Sequence, residues 1–218
     1  MKRHPFAFDF GFSGLTKWFY GPWQHERTAL QTVGDAATDR LDEPAGSEAS
    51  ALRSDTVRLL ESSLSTDHIA TLWRAASNQG HSTPYFGTDA RDWLRQIVEV
   101  CDEKLRTLRL TAEATPLRSE LWAQTEPVLR EISLVRDKLS LTTDSTRHMD
   151  PTGSVAEALD EVVITVNPDL GFRLFLRVLN TYGTPITEGQ YVRFEALGER
   201  FGYGEFHVVD VEWLTHQR

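Results

Sequence analysis

Four side chains able to move protons or bind metals lie close together near the end of the chain: Glu205, His207, Asp210 and Glu212 in "EFHVVDVEW". A β-strand sends successive side chains to opposite faces. As a strand, this segment puts Glu205 and His207 on one side and Asp210 and Glu212 on the other, and only a bulge between Val208 and Val209 would join them in one site. His207, Asp210 and Glu212 are therefore weak catalytic candidates. The simpler expectation is an edge strand whose charges discourage aggregation.

The other chemistry-bearing residues are more scattered. Asp144, His148 and Asp150 stand in the Ser/Thr-rich "TTDSTRHMDPTGS", while His25, His68 and His81 follow no metal-ligand spacing. Cys101, the single cysteine, falls on the apolar stripe of a predicted helix, where a thiol is a small hydrophobe and not a nucleophile. Neither "FDFGFSG" nor "GERFGYG" has the glycine spacing, lysine and following helix of a phosphate loop. A G-x-S-x-G elbow and a zinc-type cysteine pair are absent, so no cofactor or metal is expected. Arg173, Arg177 and Arg193 are expected to share a sheet face that would meet an anionic ligand or an oligonucleotide. Against nucleic acid, residues 151–218 hold ten acidic and five basic side chains.

Composition sets the broad class. With 40% apolar and 25% charged residues in 218, the chain has enough apolar surface for a core without disulfides and reads as a single domain over 1–218. One cysteine and no apolar run of membrane-spanning length place it in the cytoplasm. The net charge of -9 disfavours a nucleic acid or an anionic membrane as partner and favours a basic protein.

Aromatic residues mark the two ends. Of 22, eight lie in 1–23 and nine in 172–213. "FAFDFGF" alternates Phe6, Phe8, Phe10 and Phe12 as a strand with one aromatic face. "TKWFYGPW" presents Trp18, Phe19, Tyr20 and Trp23 as a partner-binding segment, since not all four can point inward. Apolar periodicity predicts helices over the middle region, 51–140: at 51–64, from Thr66, from a Thr88 cap through Leu108, and over 121–139, with a weaker one at 28–41. Residues 40–50 and 142–154 read as loops. From Glu161 to residue 214 the β-branched and alternating segments predict an antiparallel meander. Within it, 168–181 could instead be a helix with Asn167 as cap and Pro168 in its first turn. The expected fold is α+β, the helices packed on this sheet and the N-terminal strand joined to it.

With every catalytic template failing, the first functional expectation is a soluble, non-enzymatic protein that binds another protein. In its most concrete form it is a bacterial immunity or antitoxin-type inhibitor of a basic partner. The alternatives are an enzyme whose site gathers distant His, Asp and Glu residues, or anionic-ligand binding on the C-terminal sheet.

Overall fold

The computed structural model describes residues 5–20, 27–77, 88–111, 119–141 and 154–216, with Ser140 and Leu141 as backbone only. Nine α-helices run through them: α1 (Gly11–Trp18), α2 (Ala29–Ala36), α3 (Ser47–Glu61), α4 (Thr66–Ala76), α5 (Ala90–Thr107), α6 (Thr125–Leu141), α7 (Val155–Glu161), α8 (Pro168–Tyr182) and α9 (Glu188–Phe201). Short 3-10 helices cover Ser119–Gln124 and Val209–His216. A wider π-type turn over Val162–Val166 carries α7 onward toward α8. Helix α8 is the axis of the fold, buried at every residue from Pro168 to Leu179 and touched by α1, α4, α6 and α7. Helix α3 lies across α5 and α1, and α6 packs on α7 and α9.

The α+β expectation is overturned, because no strand occurs among the described residues. Local capping decides the matter in the segment read as a meander. Asn167 accepts from the Asp169 amide at 2.8 Å, Pro168 fills the first turn where its missing N–H costs nothing, and Gly183 closes α8 in the left-handed region at φ 59. Thr187 and Gln190 form a capping box that starts α9, and Gly202 ends it. "EVVITV" buries Val162, Val163 and Val166 while Ile164 is exposed, a helical spacing and not a strand's alternation. A Cβ on Gly171 would overlap Val163, so only glycine lets α8 approach this closely. Arg173 and Arg177, which fit an alternating strand, fit one face of a helix equally well at a spacing of four.

"FAFDFGF" is likewise not a strand. Residues 6–10 are irregular, α1 begins at Gly11, and Phe6, Phe10 and Phe12 are buried while Phe8 is 43% exposed. Phe6 stacks on Phe10, and Phe8 on Phe206. The Phe206 amide donates to Ala7 O at 3.1 Å. The two aromatic ends therefore meet as a loop against a turn.

The middle region is helical as its periodicity predicts, with caps displaced by one residue: Ser65 and Asp89 cap α4 and α5 in place of Thr66 and Thr88. Pro127 sits in the first turn of α6. Trp73 and Trp93 pack edge to face, with Phe19 against both and Phe12 against Trp73. Such rings bury the largest apolar areas of any side chain. Cys101 is buried, and its surroundings push the thiol up to about 12, through burial first and Asp102 second. It is core, not nucleophile.

Candidate functional site

Helix α1 has no cap of its own, since Phe10 offers no side-chain acceptor. Its first amides are satisfied from α3 instead. Gly11 N–H donates to Glu48 and Phe12 N–H donates to Asp55 Oδ2 at 3.1 Å, so the Glu48 carboxyl and the Asp55 carboxylate, two turns apart on one face of α3, meet the positive end of α1. Arg173 locks this junction from α8. It gives Nη1 to Asp55 Oδ2 (2.8 Å) and Phe10 O (2.9 Å), and Nη2 to Asp55 Oδ1 (3.0 Å) and Asp169 Oδ2 (3.1 Å). Its guanidinium also lies over the Phe10 ring at 4.3 Å. Burial opposes its charge, but the two carboxylates outweigh that and raise its pKa well above the ordinary value.

One turn on, Arg177 is buried and placed differently. Among the described residues its Nε and Nη2 meet no hydrogen-bond acceptor, and its charge rests on the Tyr20 ring at 4.9 Å. Burial lowers its pKa, opposed by Asp9, Tyr20 and Asp210. His207 stacks on Tyr203 at 4.1 Å with Nδ1 3.3 Å from Phe8 O. Burial lowers its pKa despite Asp9, so the ring is neutral and its 3.8 Å approach to Asp9 Oδ1 is no ion pair. Tyr203 donates to Asp169 O at 3.2 Å, and burial raises its pKa well above the usual value. The cavity between Asp9, Arg177, His207 and Asp210 is about 10 Å³, room for one water molecule and too small for an organic substrate.

Glu48 is the group here that titrates near neutrality, pushed up to about 8 chiefly by burial and then by Glu43. The unfolded carboxyl releases its proton near 4.5, so between these values the folded chain holds a proton that the unfolded chain has lost. Stability falls as pH rises through that window and is lowest above it. Glu48→Gln keeps an acceptor for Gly11 and removes the slope. The variant gains about 5 kcal/mol over the intact chain from the acid to the alkaline end of the window. Urea unfolding at several pH values measures this, and parallel pH profiles for the two proteins would refute it.

The residues singled out in the sequence are dispersed. His207 and Asp210 share the water-sized cavity, while Glu212 is exposed and outside its lining. Asp210 pairs with Lys17, and its carbonyl accepts from Asn180 Nδ2 at 2.5 Å and Trp213 Nε1 at 3.1 Å. The expected edge strand is a turn followed by a 3-10 helix. Arg173, Arg177 and Arg193 share no face, because the first two are buried on α8 and Arg193 is on α9, held by Glu131. Phe19 is in the core, whereas Trp18 and Tyr20 are half exposed. Trp23, His25, His81, Asp144, His148 and Asp150 lie outside the described residues. His68 pairs with Glu161, and no group of three or more His, Cys, Asp or Glu side chains among the described residues is placed to hold a metal.

Around Asp210 the surface is aromatic and acidic. Phe8, Phe206, Val209 and Trp213 are each about two-fifths exposed. Beside them, a pocket of about 300 Å³ between α9 and residues 203–209 is lined by Glu195, Glu199 and Glu205 with Tyr191 and Tyr203, and by no basic residue among those described. Burial, then Glu195 and Glu212, raises the Tyr191 pKa. Tyr191 and the acidic Glu195 and Glu199 recur at spacings of four in "YVRFEALGE" and are legible as one helix face once α9 is known to be a helix.

Comparison with known protein families, with curated proteins and with solved structures gives no match.

Proposed function

We propose that this chain acts by binding another protein of basic character at the surface formed by Phe8, Phe206, Val209, Trp213 and the adjoining glutamate pocket. The observation that carries this reading is the pocket itself: three carboxylates converge on a concavity bordered by exposed apolar side chains. Partially exposed aromatics are the usual anchors of protein interfaces. A lysine or arginine entering beside them would neutralise the carboxylates, and the net charge of -9 would speed its approach. An inhibitor of the immunity or antitoxin type, which covers a basic target, is the most concrete form of such a protein. No helix among the described residues is long and apolar enough to cross a membrane, which accords with a partner met in solution.

The test is affinity capture from lysate of the native cells, read by mass spectrometry, with the intact chain and three folded variants. Phe206→Ser/Trp213→Ser and Glu199→Gln/Glu205→Gln alter the surface, and Leu134→Ser alters an exposed apolar residue on α6. One basic protein retained by the intact chain and by Leu134→Ser, lost from both surface variants and released by salt, is the expected result. No captured protein, or one held equally by all four, would overturn the reading.

A further inference from the structure

Helix α9 has two faces of opposite charge. Tyr191, Glu195, Gly198 and Glu199 line the acidic pocket, while Arg193, Ala196, Leu197 and Arg200 line a larger groove shared with the first half of α6. That groove encloses about 710 Å³, within the range of small-molecule sites. Its apolar lining comes from Pro127, Leu129, Ala196 and Leu197.

The charges in the groove are not equally available. The charge of Arg193 is already paired, with Nε on Glu131 Oε1 at 2.5 Å, Nη2 on Glu131 Oε2 at 3.0 Å and Nη1 on Gly189 O at 2.9 Å. Glu131 is buried and spent on that pair. Arg200 has only the neutral Gln124 Oε1, at 3.1 Å. The Arg130 guanidinium has no hydrogen bond or ion pair among the described residues, its backbone carbonyl alone accepting from Ser133 Oγ. With Glu126 one turn away on the same face of α6, two available guanidiniums and one carboxylate leave a single positive charge beside an apolar surface, in a chain that is otherwise acidic.

We propose that this groove is a binding site for an amphipathic small molecule bearing one carboxylate, its head held by Arg130 and Arg200 and its apolar body laid on Leu129, Pro127 and Leu197. The planar guanidinium matches a carboxylate in a bidentate fashion. Glu126 disfavours a doubly charged head, so the site prefers a carboxylate to a phosphate monoester. The four apolar lining residues match one ring system or short alkyl body. This site is independent of the protein-binding surface and survives the loss of Phe206 or Glu205.

Calorimetric titration of the full chain with 1-naphthoate, 1-naphthyl phosphate and the uncharged 1-naphthalenemethanol tests it. 1-Naphthoate binds one to one, more tightly than either relative. Arg130→Gln/Arg200→Gln, both exposed positions, weakens it about tenfold or more and leaves 1-naphthalenemethanol unchanged. Circular dichroism and thermal unfolding confirm that the variant folds. Absence of saturable 1-naphthoate binding, equal binding by the variant, or tighter binding of the phosphate overturns the proposal. So does tighter binding of an oligoglutamate peptide, which would assign the groove to an acidic protein segment.

Discussion

Replacing Arg173 by methionine will cost about 3–5 kcal/mol of folding stability at neutral pH, and less in mild acid. Methionine has nearly the volume of the arginine stem, so the loss is not one of packing. What disappears is the cation that Asp55 and Asp169 share in a site where all three side chains are buried. Phe10 O and Ser13 Oγ also lose one donor, Phe10 O keeping those of Gly14 and Ser13. Both carboxylates then lose the cation they share, Asp55 keeping the Phe12 amide and Arg58 at 3.7 Å, so burial disfavours their charged forms. A folded-state pKa raised above the unfolded one gives stability that is present at low pH and lost as pH rises. Lowering the pH from 7 to 5 therefore recovers part of the loss. Adding Asp169→Asn to the methionine variant recovers part of it at pH 7, because it removes one of the two buried negative charges. Urea unfolding of the three proteins at both pH values is the measurement. A loss under about 1 kcal/mol, or one independent of pH, would mean that the network contributes nothing that hydrophobic contacts do not supply.

The helical middle of the fold is legible in the sequence because α3, α4, α5 and α6 each carry an apolar stripe against an exposed charged face, and amphipathic periodicity is the strongest local signal a chain has. The end of the chain is harder because α8 is buried nearly all round. Its two arginines sit in the core among apolar side chains, and "FRLFLRVL" satisfies a period of two as well as it satisfies one of 3.6. The deciding marks were punctuation: Asn167-Pro168 at the start, Gly183 at the end, and the Thr187–Gln190 box before α9. "FAFDFGF" misleads for a related reason. Gly11 breaks the extended segment in the middle of the phenylalanine series, and the polar Asp9 between them is buried, holding Ser13 Oγ at 2.6 Å.

Site residues were legible only in part. Trp18 and Tyr20 are exposed as a crowded aromatic segment requires, but Phe19 between them fills the core beside Trp73. Arg173 and Arg177, expected with Arg193 to share a sheet face, are instead buried on α8. Their roles depend on Asp55, 118 positions from Arg173, and on Asp9 near the start. No local pattern reports a partner at that separation. The glutamate pocket and the Arg130–Arg200 groove could not be seen for the same reason, since each needs α9 as a helix between two different neighbours.

Gly11→Ala tests whether the junction of α1, α3 and α8 behaves as one unit. Gly11 has φ 62, in the left-handed region where a Cβ costs roughly 1 kcal/mol by itself. Here the added methyl would also overlap Asp55 Oδ2 and press on Arg173 Nη1. The carboxylate has to swing away, and in doing so it releases both the Phe12 amide and the guanidinium. The expected loss in the intact chain is therefore close to that of the arginine variant, about 3–4 kcal/mol, most of it from a broken buried pair and not from backbone strain. In an Asp55→Ala background the obstruction and the pair are both already gone, so the same change should cost only the backbone component of about 1 kcal/mol. The difference is a coupling energy of about 2 kcal/mol or more between positions 11 and 55, far above the scatter of independent sites. Equal costs in the two backgrounds would mean that the methyl is accommodated by a shift of α1, leaving the Asp55–Arg173 pair intact.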